Sequence, residues 1–320
     1  MSGLRVVADV GGTNARFAVA EKGTYAELSH VEVSQYPSLQ DALATYLGKL
    51  SPTTRPAEAA IAVAAPVFGD NVALTNHGWS FSIKELKRNL GLTSLRVFND
   101  FAATAMAVPH LPQTDVFLVG PECPNAHGPI GILGPGTGLG VCSLIPTAGG
   151  WTVVPGEGGH VTLPTSTALE DQIAAFLRTR WSHVSAERVL SGSGLVNLYQ
   201  ALCAIEGSTA RDFSPADVTN HAIKKTDGTC VRAFEHFCAF LGTVAGDLAL
   251  TIGAIGGVYI AGGILLRFRE AFAASAFRER FESKGRFQRF LSEIPTRLVL
   301  EESPALLGLA NIPPEQSSAH

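Results

Sequence analysis

Apolar residues run almost unbroken from Leu4 to Val10, stop at Gly11-Gly12-Thr13-Asn14, and resume with a period of two, Ala15, Phe17 and Val19 alternating with Arg16, Ala18 and Ala20. An alternating segment after a glycine turn predicts strand–turn–strand, a hairpin, rather than strand–turn–helix. The same outline returns about 125 residues later, with a strand over Ile130–Leu133, a turn at Gly134-Pro135-Gly136-Thr137-Gly138 and a second strand over Leu139–Ile145. Two Gly-Thr hairpins, one in each half, suggest an internal duplication of a turn suited to gripping phosphate. Two unrelated glycine turns are the plainer alternative.

Helical spacing fills the intervals. Leu39, Leu43, Tyr46, Leu47 and Leu50 predict one helix; Leu169, Ile173, Phe176 and Leu177 predict another, opened by a capping box of Thr167 and Glu170. A third stripe holds Leu195, Leu198, Tyr199, Leu202 and Ile205, and Ser214-Pro215 marks a fourth helix start. Strands at Ala59–Ala64, Leu95–Phe98 and Val116–Val119 alternate with these helices, which makes the class α/β. The run Leu248–Leu266 is uncharged over 19 residues and needs a membrane check. Helical spacing from Phe234 ends near Ile252, and Gly257–Gly263 reads as a buried strand closed by a glycine turn, so a core helix followed by a strand explains the run better than a span.

Composition changes this picture in three ways. A chain of 320 residues with 46% hydrophobic and 16% charged residues exceeds one simple core and is neither disordered nor coiled coil. A net charge of −4 offers no basic field for non-specific nucleic-acid binding, so no nucleic-acid partner is expected. Cys123, Cys142, Cys203, Cys230 and Cys238 show no CxxC spacing, which indicates neither zinc nor a disulfide framework and makes a reduced, cytoplasmic setting the expectation. The first residues lack a signal peptide's apolar core, no membrane association is expected, and Gln316–His320 reads as a frayed tail. Glycine, at 33 residues, is about a tenth of the chain against roughly 7% on average.

Candidate chemistry sits where strands end. Leu95–Phe98 runs into Asn99-Asp100 and an alanine-rich helix from Phe101 to Val108. Asn and Asp there suit an N-cap, while a carboxylate at the carboxyl end of a strand also suits a general base. Pro155-Gly156-Glu157-Gly158-Gly159-His160 reads as a loop whose glycines admit close backbone approach while Glu157 and His160 offer hydrogen bonds. Its order is wrong for a metalloprotease HExxH. Glu187 carries no information by itself and reads as a solvated charge.

Together, Asp9-Val10-Gly11-Gly12-Thr13-Asn14-Ala15-Arg16, Phe98-Asn99-Asp100-Phe101, Gly134–Gly140, Gly156–His160, Glu187–Gly192 and Ala261-Gly262-Gly263-Ile264 resemble the bacterial glucokinase family, within the actin-like superfamily of sugar kinases and ATPases. The resemblance implies a two-lobed actin-like ATPase fold with a ribonuclease-H-like βββαβα core in each lobe. It places a small lobe at residues 1–110 plus 301–320 and a large lobe at 111–300, with the active site in the cleft.

It further implies a homodimer that uses ATP and Mg²⁺ to convert glucose to glucose 6-phosphate for glycolysis. Asp100 would be the base for the sugar 6-hydroxyl, and Asn99, Glu157, His160 and Glu187 would hold other hydroxyls. ATP would meet Ala8, Asp9, Val10, Gly11, Gly12 and Thr13, the amides of Gly136, Thr137 and Gly138, and Gly262 and Gly263 beside the adenosine. Asp9 would orient Mg²⁺ through water. Three rivals are disfavoured: a sugar-responsive regulator lacks room for a helix-turn-helix before Gly11, a polymerising scaffold needs no sugar-binding set, and a nicotinamide dehydrogenase needs a helix after its glycines.

Overall fold

A computed structural model describes residues 4–51, 55–74, 78–122 and 127–313. The N-terminal Met1–Gly3, Cys123 and the tail at 316–320 lie outside the described residues. The chain divides into two compact units, residues 1–111 with 302–320, and residues 112–301.

The first unit begins with an antiparallel meander, β1 (Arg5–Val10), β2 (Asn14–Glu21) and β3 (Thr24–Glu32), and continues through α1 (Leu39–Lys49) to β4 (Glu58–Val63). A small two-stranded ribbon, β5 (Asn71–Ala73) and β6 (Ser80–Ser82), precedes α2 (Ile83–Asn89), β7 (Ser94–Asn99) and α3 (Asp100–Ala107). The main sheet has the order β3-β2-β1-β4-β7, with β1, β4 and β7 parallel. Both faces are covered, so β1 is apolar except at Arg5 and Asp9. Val6, Ala8 and Val10 pack with Leu39, Leu43 and Leu47 of α1, whereas Val7 packs with Ala103 of α3 and with Leu306 and Leu309 of the C-terminal helix Pro304–Ala310. That helix returns so closely to α3 that a Cβ at Gly308 would overlap the Ala103 carbonyl.

The second unit repeats the topology. Its strands are β8 (Val116–Leu118), β9 (Ile130–Pro135), β10 (Leu139–Thr147) and β11 (Gly150–Gly156), followed by α4 (Ala168–Arg178), α5 (Gly192–Ile205), α6 (Pro215–Ile223) and α7 (Gly228–Ile252), then β12 (Gly257–Ile260) and β13 (Thr296–Val299). The sheet order β11-β10-β9-β12-β13 matches β3-β2-β1-β4-β7 strand for strand, with β8 added antiparallel at the far edge. The two glycine hairpins occupy equivalent positions, β1–β2 and β9–β10, which carries the suspected duplication from sequence into topology.

The long apolar helix is α7. By length and composition it could cross a membrane, but 72% of its most apolar window is buried in the protein. Phe237, Phe240, Leu241 and Ala245 are fully enclosed, and Gly242 and Gly246 let the helix Phe277–Glu282 press its carbonyls against the α7 backbone. The helix ends at Gly253 in the left-handed conformation, φ 63°, as a glycine C-cap requires.

One expected device is altered. Thr167 caps α4 by accepting from the Glu170 amide, but Glu170 does not return the bond to the Thr167 backbone. Its carboxylate instead accepts from the Ser166 amide at 2.7 Å and takes both prongs of Arg280, at 2.5 and 3.1 Å. A nearly inaccessible carboxylate needs a cation more than it needs a second capping bond.

Candidate functional site

In the first unit the candidate residues converge because three parallel strands end in register. Val10 pairs with Val63 and Val63 pairs with Asn99, so the turn after β1, the loop after β4 and the Asn99-Asp100 junction all leave the sheet at one edge. Adjacent strands lie about 4.8 Å apart, so the three segments span roughly 10 Å. Open α/β sheets present their ligands at this carboxyl edge.

At that edge Asn99 is the N-cap of α3, its Oδ1 accepting from the Phe101 and Ala102 amides at 2.9 and 3.1 Å. Its Nδ2 donates to the Ala65 carbonyl at 3.4 Å. The capping expectation therefore falls on Asn99, and Asp100 becomes the first helical residue, half-buried, with Oδ1 2.8 Å from the Phe101 amide.

Asp9 stands directly across from Arg16 in the β1–β2 pair, with Oδ2 3.5 Å from Nη1. Burial pushes its carboxyl above the usual carboxylate value, and Arg16 only partly opposes this. A strand-borne carboxylate that the fold makes costly to ionise suits a site that meets positive charge on ligand binding. The sign of the pH effect follows. A raised folded pKa favours the protonated native state, so the associated stability is complete below about pH 4 and is lost as pH rises through Asp9's folded value. Asp9→Asn is expected to be more stable than the parent at pH 7, with the gap closing towards pH 4. Thermal unfolding across that range measures it, and parallel curves would remove Asp9 as the cause.

The resemblance groups Ala8 and Val10 with the nucleotide contacts; in the fold they form the end of β1 that leads into the glycine turn. Both side chains are fully enclosed in the core. Ala8 is paired on both sides, to Phe17 and Ile61, and the Val10 carbonyl accepts from the Ala64 amide at 3.1 Å. The turns also close on themselves. Gly11 donates to the Asn14 carbonyl at 2.9 Å and Gly136 to the Gly138 carbonyl at 2.8 Å, so each turn spends its first amide on closing itself. Among the described residues, the amides of Gly12, Thr13, Thr137 and Gly138 have no such acceptor.

In the second unit everything gathers at the start of β10. Glu187, expected to be solvated, reaches the mouth of the glycine turn, and its Oε2 accepts from the Leu139 amide at 2.9 Å. The Gly192 amide, opening α5, bonds the Gly136 carbonyl at 2.8 Å. Gly262 lies so near the Pro135 carbonyl that a Cβ would collide, and its φ of 107° also demands glycine, whereas a Cβ on Gly263 would meet open space. Glu157 and His160 are exposed at either end of a single 3₁₀ turn, Gly158–His160. Their glycines serve packing: Gly158 abuts Val141, and a Cβ at Gly159 would overlap the Leu139 carbonyl. Close backbone approach is real here, but the approach is to β10. Gly159→Ala is expected to cost about 1–3 kcal/mol and to displace Glu157 and His160 together. Urea unfolding beside glucose titration checks both, and a variant with parental stability would show that the turn relaxes freely.

Among the described residues no cluster of three His, Cys, Asp or Glu side chains could enclose a metal ion. Mg²⁺ does not need one, because it keeps several waters and takes one or two carboxylates plus phosphate oxygens. Asp9 fits that demand.

Comparison with known proteins adds to this geometry. The family model described as Glucokinase matches residues 6–315. A glucokinase of Nitrobacter hamburgensis is 64% identical over 315 residues, 98% of each chain. The crystal structure of a glucokinase from an Antarctic psychrotroph matches with a TM-score of 0.88 at 37% identity, covering 97% of this chain and 98% of that one. A ROK family glucokinase from Streptomyces griseus, solved with glucose and AMPPNP, is alike in fold, with a TM-score of 0.63 at 19% identity over 96% of this chain and 98% of the other. The fold is the two-lobed actin-like ATPase fold of sugar kinases, and the repeated sheet is its βββαβα core.

Proposed function

The chain belongs to the glucokinase family and phosphorylates glucose with ATP as donor, and we propose that Asp100 is the base that accepts the sugar 6-hydroxyl proton, so that the products are glucose 6-phosphate and ADP. The observation that carries this role is the division of labour at the β7–α3 junction. Asn99 caps α3, and the adjacent Asp100, whose Oδ1 also takes the Phe101 amide, places its carboxylate at the ligand-bearing edge as the first helical residue. As the hydroxyl attacks, its proton passes to the Asp100 carboxylate, while the bond between the transferred phosphorus and the bridging oxygen of ADP breaks.

Asn99, Glu157, His160 and Glu187 are the proposed partners of the other hydroxyls. Each can match a group that both donates and accepts, so a sugar lacking a hydroxyl leaves a protein group unpaired. Glu187 keeps one oxygen on the Leu139 amide, which fixes where its other oxygen stands. For ATP, the amides of Gly12 and Thr13 and of Thr137 and Gly138 are assigned to phosphate, with Gly263 as the open surface beside the adenosine. Asp9 would hold hydrated Mg²⁺, which neutralises phosphate charge when bound.

The two units are read as the small and large lobes, and the protein as a cytoplasmic homodimer. The free thiols of Cys142, Cys203, Cys230 and Cys238 support a reducing setting, and sedimentation of the purified chain tests the dimer. The reading as a whole is tested by incubating the protein with ATP, Mg²⁺ and a panel of hexoses. Glucose 6-phosphate is the expected product; its absence from an otherwise folded protein would overturn the assignment.

A further inference from the structure

Phe68 is the most exposed large apolar side chain among the described residues, at 85% of its surface, whereas Val161, the next, stands at 52%. It sits in the loop that follows β4, and that loop is pinned on both sides. On the approach, the Ala64 amide donates to the Val10 carbonyl at 3.1 Å and the Ala65 amide to the Val63 carbonyl at 2.8 Å. Val67 rests against the core beneath. On the exit, Asp70 takes the Ser82 hydroxyl at 2.6 Å and the Lys84 amide at 2.9 Å. Between these anchors Gly69 turns the chain through φ 75°, and Phe68 is held out at the apex.

The place matters because the same loop touches the catalytic junction. The Ala65 carbonyl receives the Asn99 side-chain amide, and Asn99 precedes Asp100. Three residues of extended chain span at most about 11 Å, so Phe68 is tethered within that distance of the carbonyl that positions Asn99. A hexose held by Asn99 and Asp100 presents hydroxyls at its rim and bare C–H bonds on its ring faces. Those faces gain nothing from hydrogen-bonding side chains and pair well with an aromatic ring.

We infer that Phe68 is the apolar cover of the bound hexose, a specificity-determining residue that shields one ring face beside Asn99 and Asp100. This rests on the reading that the hexose is held at those two residues. The exposed ring is then a contact surface on a loop pinned at both ends, and burying it against the sugar also keeps water from the hydroxyl that reacts. The sugar-facing polar residues choose the hydroxyl pattern; Phe68 adds a demand for an unsubstituted apolar face above them.

The test is glucose titration by calorimetry, without ATP, of the full-length parent, Phe68→Ala and Phe68→Trp, followed by steady-state kinetics. Phe68→Ala is expected to weaken glucose binding about 5- to 20-fold. The loss should fall on the KM for glucose and leave kcat and the KM for ATP within about twofold. Phe68→Trp should retain affinity and change its emission when glucose is added. Parental glucose affinity in Phe68→Ala overturns the cover, as does an equal loss of ATP affinity, which would mark a general disturbance. If the parent itself fails to bind glucose, the hexose reading falls first, so the two failures are told apart.

Discussion

Asp100→Asn is expected to lower kcat by about 10²–10⁴-fold while glucose still binds. The amide preserves the shape of the side chain and its place as the first residue of α3, but it cannot take up a proton at the moment the sugar oxygen attacks. Because phosphoryl transfer depends mainly on positioning and charge neutralisation, residual turnover should remain, carried by the glycine turns and the metal. The loss should appear equally in kcat and kcat/KM, the pattern of an interaction made only in the transition state. Product formation from ATP and glucose, set beside calorimetric glucose binding, separates the outcomes. Full turnover in the variant would remove Asp100 from the base role, and a variant that no longer binds glucose would make its part structural.

The second large effect concerns stability. Arg280→Met is expected to destabilise the protein by about 3–5 kcal/mol, because it strands the buried carboxylate of Glu170. Arg280 gives Glu170 a two-pronged bond and also donates to the Thr243 hydroxyl at 2.7 Å, tying α4 and α7 to the helix Phe277–Glu282. The Ser166 amide would remain as a partner, but one amide does not neutralise a charge. The double variant Glu170→Gln with Arg280→Met should recover much of the loss, since the Gln carbonyl can still accept from Ser166 and no charge is buried. Urea unfolding of the single and double variants at pH 7 measures this. A double variant as unstable as the single one would show that packing of the Arg280 stem, and not its charge, holds the helices.

Both predictions depend on details that differ in how they can be read. The junction at Asp100 is local: a strand, a cap and a helix follow one another within residues 94–107, and their chemistry is visible in the order Phe98-Asn99-Asp100-Phe101. The Glu170–Arg280 pair spans 110 positions, and the sequence around Glu170 points instead to a capping box. Only packing brings Arg280 to it. Glu187 is the same case at the functional site. Its local pattern reads as a solvated charge and only the motif resemblance gave it a role, yet it closes on the amide of Leu139, 48 positions away.

The glycines divide along the same line. Their clustering announced turns and close approaches; the two Gly-Thr hairpins, their alternating strands and the α/β order followed from periodicity, and the motifs carried the family resemblance. A glycine's own sequence context, however, cannot say what approaches it. The folded chain assigns Gly262 to the Pro135 carbonyl, Gly159 to Leu139 and Gly308 to Ala103, while Gly263 is left facing open space. It also encloses the side chain of Ala8 within the sheet. The physical reason is range. Backbone preference and hydrophobic period act over a few residues and are written in order along the chain, whereas burial, the pairing of distant charges and the closeness of two backbones exist only once separate segments have been brought together.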